Sequence, residues 1–137
     1  MAVGVITSQE SVTQRLKVTG GQRLNGTWTV SGAKNAALVL MTASLLTSET
    51  VELINVPDLT DIQGMGDILG ALGVQVERSD SRVSLTAAQL TNAEPPYELV
   101  NSLRASFFSI GSLLGRMGHA KVPLPGGCRI GARPVVE

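Results

Sequence analysis

Short stretches of alternating polar and apolar residues predict β-strands along the chain. They cover 15–19, 26–30, 51–56, 74–77, 82–86 and 120–124. Ser79, Asp80 and Ser81 separate the fourth stretch from the fifth, and residues of these types favour turns. We therefore expect the fourth and fifth strands to form a hairpin.

Between these strands, three stretches have the composition or the spacing of helices. Residues 33–47 are good helix formers that follow Ser31-Gly32, and a second helix is predicted from a cap at Asp58 to Gly73. The third runs from 97 to about 116, and Gly118 is expected to end it. Its apolar residues recur every three or four positions, at Leu99, Leu103, Phe107, Ile110 and Leu114.

The order β, α, β, α, β, β, then helix and strand, predicts an α/β (α+β) fold. Residues 27–34 and 120–127 both run from a predicted strand into small residues and glycine. This weak internal similarity indicates a βαβαββ unit that starts again near residue 120. We expect 1–14 to be a flexible extension and 15–137 to be a partial domain, with the first unit and the start of the next.

Composition favours an aliphatic core and a local anion site. The 137 residues are enough for one domain, and 43% are hydrophobic but only 3% aromatic. Eleven basic residues balance eleven acidic ones, which argues against a general electrostatic grip on nucleic acid or on an anionic membrane. Any anion must therefore be bound locally.

The single cysteine and the N-terminal sequence favour a reducing compartment. One cysteine cannot form an internal disulfide, and the first 14 residues lack the pattern of a signal peptide. The most apolar run, 36–46, is too short to cross a bilayer. We expect a soluble, cytoplasmic protein.

The cysteine, Cys128, lies in a glycine-rich segment, Pro125–Pro134, beside Arg129 and Arg133. Glycines allow tight turns and leave amides accessible to an anion. The two cations are expected to lower the pKa of the thiol below about 8.5, the value of a free cysteine. The alternative is an ordinary turn with an inert thiol.

Two further segments are candidates for anion binding. Ser31–Asn35 lies where a predicted strand meets a helix, so helix amides and Lys34 could hold an anion, although the spacing is not that of a P-loop. The alternative is a helix cap followed by a surface lysine. Arg104 borders the apolar face of the third helix, either as a solvated side chain or as a cation that points into a cleft.

Four further titratable residues are predicted to have no role in chemistry. His119 follows Gly118 without a cysteine or carboxylate at metal-ligand spacing, so we expect a surface residue and no metal site. Asp58, Asp61 and Asp67 fall on one predicted helix, which more often indicates a solvated face than an acid/base pair.

Three motifs together resemble the UDP-N-acetylglucosamine enolpyruvyl transferase family. Ser31–Ala37, Leu103–Ser106 and Pro125–Pro134 stand in the family's order and spacing, and the similarity runs from about Leu16 to the last residue. The resemblance implies two domains, each of three βαβαββ units in an inside-out barrel, with the active site in the cleft between them. Members of the family are about three times as long as this chain.

The resemblance also implies a reaction without metal or cofactor. It is the transfer of the enolpyruvyl group of phosphoenolpyruvate to the 3-hydroxyl of UDP-N-acetylglucosamine with release of phosphate, the first committed step of peptidoglycan synthesis. By this resemblance Lys34 and Asn35 contact phosphoenolpyruvate, and Cys128 is the general acid and the target of fosfomycin. The residues implied to contact the nucleotide sugar are Arg104, Arg133, Pro134, Val135, Val136 and Glu137.

Two residues depart from the family pattern. Phe108 stands where the family often has Trp, and Val136 replaces an acidic residue, which puts one polar contact to the nucleotide in doubt.

Two alternative functions remain open. The sister family that acts on shikimate 3-phosphate is disfavoured by the Pro-Gly-Gly-Cys sequence. The other alternative is a truncated chain that binds a nucleotide sugar or a protein partner without catalysis. The resemblance implies that the rest of the two-domain enzyme is needed for activity.

Overall fold

The computed structural model describes residues 17–124, which form a small three-stranded sheet packed against helices. In chain order the elements are helix α1 (Lys34–Ala43), a 3₁₀ turn (Ser44–Leu46), strand β1 (Thr50–Leu53), helix α2 (Thr60–Ala71), strands β2 (Gln75–Ser79) and β3 (Arg82–Thr86), helix α3 (Tyr97–Ser102), a second 3₁₀ turn (Arg104–Phe108) and helix α4 (Ser109–Met117). This mixture of helix and sheet confirms the expected fold class.

The sheet is antiparallel in the order β1-β3-β2. Val51 pairs with Leu85 on one side of β3, and Val76 pairs with Leu85 on the other. The predicted hairpin is confirmed, and Asp80 in its turn has a φ of 51°. This left-handed conformation is one that aspartate tolerates.

The core lies between the sheet and the helices and is aliphatic, as the composition predicts. Val83 and Leu85 of β3 are buried, and on either side of β3, α1 packs against β1 and α2 packs against β2. The other fully buried side chains include Met41, Leu45, Ile62, Met65, Ile68 and Leu69. Leucine, isoleucine and methionine side chains therefore bury the apolar surface that aromatic side chains bury in other cores.

The prediction of strands at 26–30 and 120–124 is wrong. Residues 17–31 have no regular structure and are exposed, with Trp28 88% exposed. At 120–124 the amide of Lys121 donates to the carbonyl of Ala93, but this hydrogen bond is not part of a β-ladder. A strand exists only where a neighbour accepts its hydrogen bonds, and no strand of residues 17–124 pairs with either segment. The strand predicted at 15–19 also fails for its described residues, 17–19.

The third helix was predicted as continuous, and this is wrong. Leu103 has extended backbone angles, φ −135° and ψ 107°, and it separates α3 from the 3₁₀ turn and α4. The break changes which side chains face inward: Ser106, Ser109 and Ser112 are buried. Leu114, placed on the apolar face by its spacing, is 48% exposed.

Small residues allow the last helix to pack closely. A Cβ placed on Gly115 would lie 3.1 Å from Cδ2 of Leu46, in the first 3₁₀ turn. Gly118 ends the helix as predicted, in a left-handed conformation with φ 74°, and its amide donates to the carbonyl of Leu114. The buried face of α4 therefore combines Leu113 with small residues that allow close approach.

The cap predicted at Asp58 is also wrong. Helix α2 is capped by Leu59 without a side-chain hydrogen bond. The carboxylate of Asp58 instead accepts from Arg78 and from Gln63. The predicted end of this helix before Gly73 is confirmed, and a Cβ there would lie 2.8 Å from the carbonyl oxygen of Gln89.

Candidate functional site

The first turn of α1 presents backbone amides beside an exposed lysine. Ala33, the N-cap, has extended angles, and no side chain caps the helix. The amide of Ala37 donates a hydrogen bond to the carbonyl of Ala33 at the start of the helix. The amides that precede Ala37 lie in the turn where an α-helix leaves its donors without intrahelical acceptors. Such a terminus attracts anions.

A contact between Gly32 and Asn55 fixes the entry to this helix. The Gly32 amide donates to Oδ1 of Asn55 over 3.1 Å. A Cβ on Gly32 would lie only 1.8 Å from the carbonyl oxygen of Asn55, so any side chain would force the two segments apart. Asn55 itself has a φ of 57°, which asparagine tolerates better than most residues. The chain entering α1 is thereby held against the segment that follows β1.

Lys34, the first residue of α1, forms an ion pair with Asp61 in the first turn of α2. The two side chains are 44% and 37% exposed, so both remain accessible to a ligand. The three aspartates were predicted to form a solvated helix face. Asp67 is exposed, but Asp58 and Asp61 each form an ion pair with a cation.

A groove of about 320 Å³ runs beside the start of α1. One wall is the apolar side of the helix, and the other is the end of β1 with the residues that follow it. Glu52 and Asn55 are the polar side chains among its lining residues, which also include Gly32, Ala36, Leu40, Leu53, Ile54 and Val56. The Gly32–Asn55 contact therefore forms part of the wall of this groove.

Arg104 begins the 3₁₀ turn Arg104–Phe108, which packs against α1 and α2. The structure therefore brings the segment of Arg104 to the same helix that carries Lys34 and Asn35. Arg104 is partly buried, whereas Asn35 is exposed. This degree of burial fits a side chain whose apolar stem covers part of the core.

The other predicted site residues, Cys128 and the segment 133–137, lie outside the described residues, as does the extension at 1–14. His119 is exposed, as predicted, with Nδ1 3.1 Å from the carbonyl oxygen of Met117. Between residues 17 and 124, no group of histidine, cysteine, aspartate and glutamate has the arrangement of a metal site. None of the helices there is long and apolar enough to cross a membrane.

Sequence reasoning missed two residues of the site, Asn55 and Asp61. Asn55 follows a predicted strand and precedes Val56-Pro57, and an asparagine at such a position is a signal for a left-handed residue. Asp61 offers a weaker signal, because an acidic residue early in a helix is common for helix-dipole reasons alone.

Comparison with known proteins gives a consistent assignment. Residues 18–137 match the EPSP synthase family (3-phosphoshikimate 1-carboxyvinyltransferase). The chain is 72% identical to the UDP-N-acetylglucosamine 1-carboxyvinyltransferase of Parasynechococcus marenigrum (strain WH8102) over 137 residues, which are 100% of this chain and 32% of the relative. The protein of the same name from Synechococcus sp. (strain CC9605) is 72% identical over 95% of this chain and 30% of its own length.

A solved structure with a similar fold is the enolpyruvyl transferase NikO from Streptomyces tendae. The TM-score is 0.63 at 29% sequence identity, over 72% of this chain and 23% of that one. The chain spans about a third of the length of the curated relatives it matches.

Proposed function

Because the chain belongs to the EPSP synthase family, we propose that it is the N-terminal part of a UDP-N-acetylglucosamine 1-carboxyvinyltransferase. The enzyme transfers the enolpyruvyl group of phosphoenolpyruvate to the 3-hydroxyl of UDP-N-acetylglucosamine and releases phosphate, the first committed step of peptidoglycan synthesis, in the cytoplasm. The proposal depends on one observation above the others, the 72% identity over all 137 residues with a relative of that name.

The start of α1 is the proposed position of phosphoenolpyruvate. Lys34 supplies a cation, Asn35 a neutral polar side chain, and the first helix turn its amides. The substrate carries phosphate and carboxylate charges, and a cation together with helix amides offsets such charges and the charge that develops in the transition state. The Gly32–Asn55 contact supports this role, because it fixes the helix terminus before substrate arrives.

The nucleotide sugar is proposed to contact Arg104 and the segment 133–137 (Arg133, Pro134, Val135, Val136 and Glu137). Arg104 lies in a turn packed on α1, so a sugar held there would be close to the helix that carries Lys34. Two anionic substrates must be held side by side, and the arginines offset their mutual repulsion.

Cys128 is the proposed general acid. Its thiol gives a proton to the methylene carbon of phosphoenolpyruvate while the sugar hydroxyl oxygen bonds to the neighbouring carbon and gives its own proton to a general base. The adduct then loses a proton from the new methyl group and phosphate from the neighbouring carbon, which restores the double bond. Neither step requires a metal or an organic cofactor, and the same thiol is the proposed site of alkylation by fosfomycin.

A second acceptor, shikimate 3-phosphate, is the alternative substrate suggested by the description of the family. The relatives favour the nucleotide sugar, because proteins that are 64% to 72% identical to this chain bear the name UDP-N-acetylglucosamine 1-carboxyvinyltransferase. A binding role without catalysis is the remaining alternative.

Phosphate release distinguishes these alternatives. The protein extended past Glu137 to the length of its relatives is incubated with phosphoenolpyruvate and each acceptor in turn. We expect release with UDP-N-acetylglucosamine, none with shikimate 3-phosphate, and loss of release in Cys128→Ala. Release with shikimate 3-phosphate alone would favour the sister reaction, and release with neither would favour the binding role.

A further inference from the structure

We propose that Asp61 is a positioning residue for Lys34 in the transfer reaction. The inference rests on the proposed function, since it concerns the lysine assigned there to phosphoenolpyruvate. Asp61 is not assigned a contact with substrate. Its role is to hold the lysine ammonium at one place beside the first turn of α1.

The two residues come from different helices that pack together. Lys34 is the first residue of α1, and Asp61 is the second residue of α2. Nζ of the lysine contacts Oδ2 of the aspartate. The ion pair thus joins the N-terminal ends of both helices and places the lysine charge between them.

Helix electrostatics explain why the lysine needs such a partner. A cation at the first position of a helix faces the positive end of the helix dipole and is disfavoured there, whereas a carboxylate in the first turn is favoured. Asp61 therefore stabilises Lys34 at a position from which α1 alone would repel its charge. Exposed ion pairs of this kind add little to the free energy of unfolding, so stability alone does not account for this pair.

The neighbouring aspartate provides a matched control. Asp58 lies three residues before Asp61 and also pairs with a cation, but its partner is Arg78 of β2, and its side chain is 77% exposed. It also accepts from Gln63. Changing Asp58 removes one negative charge from the same segment without touching Lys34.

Removing the carboxylate of Asp61 is expected to affect turnover rather than substrate capture. Asp61→Asn makes the site more positive by one charge, so an anionic substrate is bound at least as well in the ground state. The ammonium, however, is no longer held, and misplacing a group that acts in the transition state reduces the rate. The expected signature is a lower kcat without a higher KM for phosphoenolpyruvate.

Steady-state kinetics of the full-length protein test this inference, with phosphoenolpyruvate varied at saturating UDP-N-acetylglucosamine. For Asp61→Asn we expect kcat to fall about tenfold with KM equal or lower, and for Asp61→Glu, which keeps the carboxylate, kcat within about threefold of wild type. Asp58→Asn should match wild type. Circular dichroism of each variant establishes that it is folded, and a folded Asp61→Glu keeps the test decisive if Asp61→Asn does not fold.

Each of the following results would overturn the inference. Unchanged kcat and KM in Asp61→Asn mean that the carboxylate is dispensable. A raised KM with unchanged kcat means that Asp61 acts in binding alone, and a folded Asp61→Glu that is as slow as Asp61→Asn, or slower, means that a carboxylate does not restore the position. If the wild-type protein itself releases no phosphate, the proposed function fails, and this inference fails with it. An active wild type with an unaffected Asp61→Asn overturns this inference alone.

Discussion

At Gly32 the backbone comes so close to its neighbour that no side chain can be accommodated. A Cβ would lie 1.8 Å from the carbonyl oxygen of Asn55, far inside van der Waals contact, and that oxygen belongs to backbone that cannot rotate away. The Asn55 side chain then accepts the Gly32 amide and secures the contact. The start of α1 therefore depends on a residue 23 positions away in the sequence.

Gly32→Ala should lower the free energy of unfolding by at least about 2 kcal/mol, because the two segments must separate to accept the methyl group. Gly70→Ala is the control: a Cβ there meets nothing within 4 Å, and alanine is the better helix former by up to about 1 kcal/mol. Urea denaturation of the chain measures both. Equal midpoints for the two variants would contradict the close approach.

Lys34→Ala should lower kcat/KM for phosphoenolpyruvate by about a hundredfold or more, the scale for losing a preorganised electrostatic group. Lys121→Ala is the matched control, since Lys121 also pairs with a carboxylate, that of Glu94, but lies far along the chain at 78% side-chain exposure. The phosphate-release assay compares them. Equal activity of the two variants would exclude Lys34 from the site.

The sequence predicts one half of this site better than the other. Lys34 and Asn35 stand out because a helix pattern begins there and because Ser31–Ala37 resembles a motif of the family, and both signals are local. Asn55 and Asp61 meet Gly32 and Lys34 only through tertiary contacts across 23 and 27 residues. Hydrophobic periodicity carries no information on such pairs.

At the scale of elements, buried serines line the second 3₁₀ turn and the start of α4. Ser106 and Ser109 are both fully buried, and Oγ of Ser109 donates to the carbonyl of Ser106 over 2.7 Å. Within residues 17–124, Oγ of Ser106 has no hydrogen-bond partner. A buried hydroxyl without a partner loses its hydration and gains nothing in return.

Ser106→Ala should therefore raise the free energy of unfolding by about 1 kcal/mol, because it removes the unpaired hydroxyl. Ser109→Ala should lower it by a similar amount, because it removes a satisfied one. Thermal or urea unfolding of the two variants gives the signs. If both variants are destabilised alike, the Ser106 hydroxyl has a partner that the described residues do not supply.

Elements with strong local signals were predicted well, and those that depend on a neighbour were not. Helices α1 and α2 and the β2–β3 hairpin follow from helix propensity, periodicity and turn residues. The segment around Trp28 also alternates like a strand, but pairing is a property of two segments, and none is present beside it in the described part. The helical spacing of apolar residues continues across Leu103, so it does not predict the break in the helix there.

At the scale of the whole molecule, the chain spans about a third of the length of its curated relatives. The proposed reaction needs groups on both sides of a cleft, and the resemblance implies that the rest of the two-domain enzyme is needed for activity. We therefore expect the 137-residue chain alone to release no phosphate above background. Release by this chain alone, lost in Cys128→Ala, would show that it contains a complete site.

The most direct test is to identify the product by mass spectrometry after the full-length protein has acted on phosphoenolpyruvate and UDP-N-acetylglucosamine. The proposed function predicts the enolpyruvyl ether of UDP-N-acetylglucosamine, with one phosphate released for each molecule formed and none of either in Cys128→Ala. Unchanged nucleotide sugar, or phosphate accompanied by free pyruvate instead of the ether, would contradict it.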